Sequence, residues 1–134
     1  MSQENVEIVR QIYAEWQRGN MKAGVQRFDP EIVFESFMPD ARERIVAKGP
    51  TEVEAFMREF LRDWRDYRLI GDEYRKASET RVFVRGRQAA IGRESGVAVE
   101  DTMFSVWTFR DAKVVHLIFD RDRQRALEAA GLSE

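Results

Sequence analysis

The sequence contains no cysteine and only one histidine, His116, among its 134 residues. The absence of cysteine excludes disulfide bonds, thiol nucleophiles and zinc–thiolate sites in this chain. A single histidine excludes a metal site built from several imidazoles. The sequence also has no run of 18 apolar residues, and it therefore predicts no transmembrane helix.

An excess of charge of one sign is missing as well. The 22 basic and 24 acidic residues give a formal net charge of −2, whereas a nucleic-acid-binding surface normally produces a basic excess. The first residues, Met1–Asn5, lack the basic and apolar regions of a signal peptide. We therefore expect a cytoplasmic protein that has neither a nucleic acid nor a membrane as partner.

The length and composition fit one folded domain over residues 1–134. Hydrophobic residues make up 43% of the chain and charged residues 34%, and no repeat, linker or low-complexity segment is visible. A chain of this length buries about two-thirds of its unfolded surface, so it can be stable without a disulfide or a metal.

The first part of the chain has the periodicity of helices. Apolar residues recur at spacings of three and four up to Trp16, which predicts a helix that the pair Gly19–Asn20 ends. A short second helix is predicted at Met21–Phe28. A β-rich strand is expected at Glu31–Met38, followed by a polar loop at Pro39–Gly49.

The rest of the chain predicts one more helix, four strands and a terminal helix. Pro50 suits the first position of the third helix, whose apolar stripe runs to Trp64. After Trp64 apolar and polar residues alternate with a period of two, which predicts strands. The turns between them are short, which favours antiparallel pairing of neighbouring strands. A final helix is predicted at Arg121–Ala130. This order is typical of an α+β fold, with predicted strands at Tyr67–Lys76, Thr80–Ile91, Val97–Arg110 and Lys113–Asp120.

Large apolar side chains occur on both the predicted helices and the predicted sheet. Helices that face a long curved sheet can enclose a cavity, and ligand pockets are mostly apolar with a few polar groups. The alternative is that the same side chains form ordinary core, as aromatic residues at helical spacing usually do. The residues expected to line such a pocket are Trp16, Phe56, Phe60, Trp64, Met103 and Trp107.

Five segments resemble SnoaL-like proteins of the nuclear transport factor 2-like superfamily: Arg18–Asn20, Asp29–Phe34, Lys48–Pro50, Val106–Val114 and Arg125–Leu132. The resemblance covers nearly the whole chain. It implies a cone-shaped α+β barrel, in which a curved, mostly antiparallel sheet is covered by N-terminal helices around an apolar pocket, and a homodimer through the sheet. Such relatives include ketosteroid isomerase, limonene epoxide hydrolase and polyketide cyclases, whose chemistry uses no cofactor.

The resemblance to the isomerase implies positions for its catalytic groups. Its base corresponds to Glu35, and an apolar pocket favours proton uptake by a carboxylate, which suits general-base chemistry; the alternative is that Glu35 faces solvent. One hydrogen-bond donor corresponds to Ile12, next to Tyr13, and the other to Ser105, so both strong donors of the isomerase are lost. The last aspartate of the epoxide hydrolase corresponds to Phe119.

Strand alternation assigns further side chains to the pocket side. On the last strand, Val115, Leu117 and Phe119 are expected to point inward, and His116 toward the opposite face. Alternation leaves open whether Arg85 and Arg87 or Gly86 and Gln88 face the pocket. On the preceding strand one face carries Asp101, Met103, Ser105, Trp107 and Phe109.

Three functions remain compatible with the sequence. One is a cofactor-free isomerase or cyclase, in which Glu35 removes a proton from a cyclic or polyketide-like molecule and Ser105 or Tyr13 stabilises the oxyanion. Another is a non-catalytic ligand-binding or accessory protein that uses the same pocket. The last is a dimeric interaction module whose pocket is filled by its own side chains.

Overall fold

The computed structural model describes residues 2–37 and 44–133. In these residues the helices are α1 (Ser2–Gln17), α2 (Gly49–Leu61) and α3 (Arg123–Ala130), and the strands are β1 (Phe28–Phe37), β2 (Arg44–Lys48), β3 (Trp64–Lys76), β4 (Arg81–Gly92), β5 (Ala98–Arg110) and β6 (Lys113–Asp120). None of these helices combines the length and apolar character needed to cross a bilayer.

The strands form one mixed sheet in the order β2-β1-β6-β5-β4-β3. Every neighbouring pair is antiparallel except β1 and β6, which run parallel. A parallel pair needs a long connection, and here the chain from β2 to β5 supplies it. The structure therefore confirms the predicted α+β fold with a mostly antiparallel sheet.

The sheet bends where β3 pairs with β4. Gly71 pairs with Gly86, and the register shifts between Gly71 and Glu73. A Cβ atom at Gly86 would lie 2.1 Å from the carbonyl oxygen of Ile70, so the two backbones can approach only because this position has no side chain. Irregular pairing of this kind increases bending and twist, and the curved sheet can then surround the helices.

The two faces of the sheet have separate cores. On the inner face, α1 packs mainly on β3 and α2 mainly on β1, around buried residues such as Val9, Ile32 and Leu117. On the outer face, α3 covers Phe83, Phe104 and Val106 with Ala126, Leu127 and Ala130. The inner core therefore positions the helices that face the concave side of the sheet.

Two predicted elements are wrong. The predicted helix at Met21–Phe28 is only a 3₁₀ turn, Val25–Arg27, because Gly24 has a left-handed conformation with φ of 95° and β1 already begins at Phe28. The predicted loop at Pro39–Gly49 contains the edge strand β2, in which Ala47 alone is buried. Such a strand shows little hydrophobic alternation. Residues 38–43 of the predicted strand and loop lie outside the described residues.

Candidate functional site

A cavity of about 880 Å³ lies between α2 and the inner face of the sheet. This volume falls in the range of about 300–1,000 Å³ that small-molecule sites have. Its lining is mainly apolar and aromatic, and β1, α2, β3 and β6 all contribute to it. The aromatic residues that line the cavity include Trp16, Phe34, Phe56, Phe60, Trp64 and Phe119.

Aromatic contacts hold α2 against the sheet along this cavity. The ring centroids of Phe34 and Phe56 lie 5.3 Å apart, those of Phe56 and Phe60 6.2 Å, and those of Phe60 and Tyr67 5.2 Å. Such pairs contribute about 0.5–1.5 kcal/mol each beyond the burial of their area. The spacing of four residues along α2 places Phe56 and Phe60 on one helical face, and this face forms one side of the cavity.

A buried hydrogen-bonded cluster lies next to the cavity and does not line it. The hydroxyl oxygens of Tyr13 and Ser105 are 2.7 Å apart, and Trp107 Nε1 donates to Ser105 Oγ at 2.9 Å. Burial raises the pKa of the Tyr13 phenol, which keeps the cluster neutral. Trp16 lines the cavity and packs on the rings of both Tyr13 and Trp107.

The predicted cavity positions of Tyr13, Ser105 and Trp107 are therefore corrected: all three belong to the core on the far side of Trp16. Strand alternation gives the correct face for Ser105 and Trp107 but carries no information about depth. The Ser105 hydroxyl already bonds to two protein groups, so it does not present an oxyanion donor to the cavity.

The position of Glu35 is also corrected, because its side chain does not line the cavity. Its neighbours Phe34 and Ser36 do, so alternation along β1 places Glu35 on the outer face. There its carboxylate pairs with Arg44 Nε at 2.9 Å and with His116 Nε2 at 2.5 Å. The side chain is 13% exposed, and its contacts are those of a structural ion pair.

The other predicted pocket residues do lie along the cavity. Those from α1, α2 and β3 are Trp16, Phe56, Phe60 and Trp64, and those from β5 and β6 are Asp101, Met103, Leu117 and Phe119. Among them, Asp101 is the one charged side chain.

Four polar side chains cross one end of the cavity on neighbouring elements, and we call them the polar row: Tyr67, Gln88, Asp101 and Arg121. Tyr67 OH donates to Gln88 Oε1 at 2.7 Å. Gln88 pairs directly with Asp101 in the β4–β5 register, and Asp101 Oδ1 lies 3.2 Å from Arg121 Nη2. Burial raises the pKa of Tyr67, so its phenol remains a donor near neutral pH.

The structure also decides which β4 residues face the cavity. Gln88 lines it, whereas Arg87 binds Asp72 and Glu100 on the other face, each at 2.9 Å. Val82 and Val84 are buried and lie on the same face of β4 as Gln88. Because both are apolar, the sequence could have indicated that this face points inward. The inward direction of Tyr67 could not be predicted in this way, because an irregularity between Arg65 and Arg68 shifts the register of β3.

Comparison with solved structures shows similarity of fold over nearly the whole chain. A nuclear transport factor 2-like protein of unknown function from Burkholderia pseudomallei has a TM-score of 0.75 at 22% identity, over 92% of this chain and 95% of that protein. TerC, co-crystallised with polyporic acid, has a TM-score of 0.74 at 18% identity, over 95% of this chain and 98% of TerC.

A third similar structure is a candidate SnoaL-like polyketide cyclase from a Jannaschia species. Its TM-score is 0.75 at 16% identity, over 99% of this chain and 94% of that protein. No curated protein matches the chain in sequence. The model of the SnoaL-like domain matches residues 9–117, from the middle of α1 into β6, and the chain therefore belongs to the SnoaL-like domain family.

Proposed function

We propose that this protein binds a small hydrophobic molecule of cyclic or polyketide-like shape in the cavity under α2. The observation that carries the proposal is the cavity volume of about 880 Å³ with a mainly apolar lining. A space of this size does not fit an interaction module whose pocket is filled by its own side chains. TerC, a protein of the same fold, was co-crystallised with polyporic acid, which supports a small organic molecule as ligand.

Ligand binding can be tested by filling the cavity. Ala90 lines it, whereas its neighbour Ala89 does not. We expect Ala90→Phe to weaken the binding of a neutral aromatic probe, diphenylmethane, by at least about 10-fold, and Ala89→Phe to leave it unchanged. Calorimetry measures the dissociation constant, and thermal unfolding verifies that both variants fold. Absence of binding to the wild-type protein, or equal binding by both variants, would contradict the proposal.

A second candidate function is cofactor-free proton transfer with Asp101 as the base. With Glu35 on the outer face, Asp101 is the carboxylate that the polar row presents to the cavity, with one oxygen held by Arg121 at 3.2 Å. Asp101 would accept a proton from a carbon next to a ligand carbonyl, leaving an enolate, and return the proton to another carbon. General bases of this kind contribute about 10²–10⁴-fold to a rate.

Deuterium exchange into 2-tetralone, followed by NMR in heavy water, tests this candidate. We expect the wild-type protein to accelerate exchange over buffer, Asp101→Asn to abolish the acceleration, and Glu35→Gln to retain it. Loss of exchange in Glu35→Gln together with retention in Asp101→Asn would instead assign the base to Glu35. No acceleration by the wild-type protein would leave ligand binding as the function.

A homodimer through the sheet is also proposed, on the basis of the outer face that α3 leaves uncovered. Glu35 pairs in register with Val46 on β2 and with Ile118 on β6, so these side chains share one face. Val46 is 42% exposed, although it is a large apolar residue. An apolar side chain beside a half-buried ion pair is suited to a protein–protein contact.

A further inference from the structure

We propose that the polar row selects aromatic ligands that carry a carbonyl group and a hydroxyl group meta to each other, with Gln88 donating to the carbonyl and Asp101 accepting from the hydroxyl. The inference rests on the proposed ligand-binding function and narrows its ligand class. It depends on which atoms of the polar row already have protein partners and which still face the cavity.

The amide of Gln88 has its acceptor occupied and its donors available. Oε1 accepts from Tyr67 OH at 2.7 Å, and Nε2 makes no hydrogen bond to another residue in the part of the chain that the structure describes. An amide nitrogen carries two N–H donors and no acceptor. The side chain therefore offers the cavity a donor, which a carbonyl oxygen satisfies.

Tyr67 positions this amide. Its ring packs edge-on against Phe60, with centroids 5.2 Å apart, and burial keeps its hydroxyl protonated. Because the Tyr67 hydroxyl holds Oε1 of this amide, Nε2 of the same group points away from Tyr67 and remains available to a ligand. Tyr67 is thus a positioning residue for the ligand contact that Gln88 makes.

Asp101 offers the complementary group beside Gln88. Oδ1 pairs with Arg121, and Oδ2 has no partner in the described residues. A carboxylate oxygen only accepts hydrogen bonds, so it suits a ligand hydroxyl. Gln88 and Asp101 lie directly opposite each other in the antiparallel β4–β5 pair, where Cβ atoms are about 4.5–5.5 Å apart, so the two side chains can reach meta substituents of one aromatic ring.

Discrimination follows from the penalty for an unsatisfied polar group. A ligand without a carbonyl displaces water from the Gln88 amide and leaves its donors unpaired. Because Gln88 is only partly buried, such a loss weakens binding by about 3- to 10-fold. Apolar contacts with the aromatic side chains are the same for ligands of the same shape, so the polar row adds selectivity to the general affinity of the cavity.

Four probes of similar shape separate the two contacts: 3-hydroxybenzophenone, benzophenone, 3-benzylphenol and diphenylmethane. Dissociation constants would be measured by calorimetry for the wild-type protein and for Gln88→Met, Asp101→Val and Tyr67→Phe. We expect the wild-type protein to bind benzophenone about 3- to 10-fold more tightly than diphenylmethane. Gln88→Met should lose this gain from the carbonyl. We expect a similar gain for 3-benzylphenol over diphenylmethane in the wild-type protein. Asp101→Val should lose this gain from the hydroxyl and retain the gain from the carbonyl.

Tyr67→Phe separates positioning from simple packing. The variant should lower the gain from the carbonyl and leave the affinity for diphenylmethane unchanged, because the aromatic ring remains. A variant that weakened all four probes equally would show that Tyr67 only packs. Equal carbonyl gains in the wild-type protein and Gln88→Met would overturn the inference while ligand binding stands. Failure of the wild-type protein to bind any of the four probes would overturn both.

Discussion

Glu35 and His116 meet across the parallel β1–β6 pair, on the face of the sheet that points away from the cavity, with Oε2 and Nε2 2.5 Å apart. Arg44 of the edge strand β2 donates to the other carboxylate oxygen at 2.9 Å. One carboxylate thus links three strands. His116, the single histidine of the chain, therefore has a structural role on the outer face of the sheet.

Removing this link should destabilise the fold without affecting the cavity. We expect Glu35→Gln to lower the free energy of unfolding by about 1 kcal/mol, because the contacts are half-buried hydrogen bonds. Urea unfolding measures the change, and His116→Ala and the double variant complete a double-mutant cycle. Additive effects of the two substitutions would contradict a direct interaction.

Gly86→Ala should destabilise the curved part of the sheet strongly. The added Cβ would meet the Ile70 carbonyl oxygen at 2.1 Å, and relieving such a clash costs about 1–3 kcal/mol or more. Gly96→Ala is the control, since that position has φ of 70° and no heavy atom within 4 Å of the added Cβ. Thermal unfolding should show the larger loss for Gly86→Ala. A smaller loss than in the control would contradict the proposed role of close backbone approach.

The ion pair between Asp72 and Arg87 should make stability depend on acid pH. A hydrogen bond from Arg87 lowers the pKa of Asp72 below its ordinary value of 3.8. The resulting stability is present above that ordinary value and is lost as the pH falls through the lowered pKa. Because both side chains of this ion pair are partly exposed and screened by solvent, we expect Asp72→Asn to reduce stability only slightly at neutral pH.

The difference between Asp72→Asn and the wild-type protein should disappear at low pH, where both carry a neutral side chain at this position. Urea unfolding at neutral and at acid pH measures it. A difference that stays constant as the pH falls would show that the effect of the substitution is not electrostatic.

Tyr13 and Tyr67 should ionise at a higher pH than an ordinary tyrosine. Burial raises the pKa of Tyr13 and Tyr67 above the ordinary value of 10.0, so the folded state favours the neutral phenols. This contribution is complete below pH 10.0 and is lost as the pH rises toward the raised values. We expect phenolate absorbance to appear together with unfolding, as followed by circular dichroism. Ionisation of both side chains near pH 10 in a folded protein would contradict their burial.

The outer face should mediate self-association if the proposed homodimer forms. Val46→Glu places a charge beside Glu35 on the exposed side of β2 and is expected to shift the protein toward monomer in light scattering after gel filtration. The control, Val97→Glu, changes an exposed valine at 58% relative accessibility that does not belong to this face. A wild-type monomer would rule out the dimer.

The fold could be predicted from the sequence wherever hydrophobic alternation is regular, as in β6, whose bounds Lys113–Asp120 agree with the prediction. Local irregularities were not predictable. A register shift between Thr108 and Phe109 buries Val114 in the core in place of the predicted Val115. A bulge changes which side chain points inward, and it leaves no mark in a pattern of period two.

The apolar lining of the candidate site could be predicted from the sequence, whereas its polar contacts could not. Helical spacing identified Phe56 and Phe60, since apolar periodicity and cavity lining arise from the same helical face. The choice of Glu35 came from the resemblance and from its apolar neighbours, and the irregular alternation of β1 gave no reliable face for its side chain. Tyr67 and Gln88 were missed as a pair because they meet across two strands, a relationship that depends on register.

The sheet stays open, and β3 forms one of its edges. An exposed edge strand can recruit further strands and start aggregation. Here charged residues such as Arg65, Arg68 and Lys76 occur along β3, and two irregularities interrupt its regular path. Charges and bulges both discourage pairing with another chain. The bending that shapes the cavity thus also helps to protect the protein against amyloid-like growth.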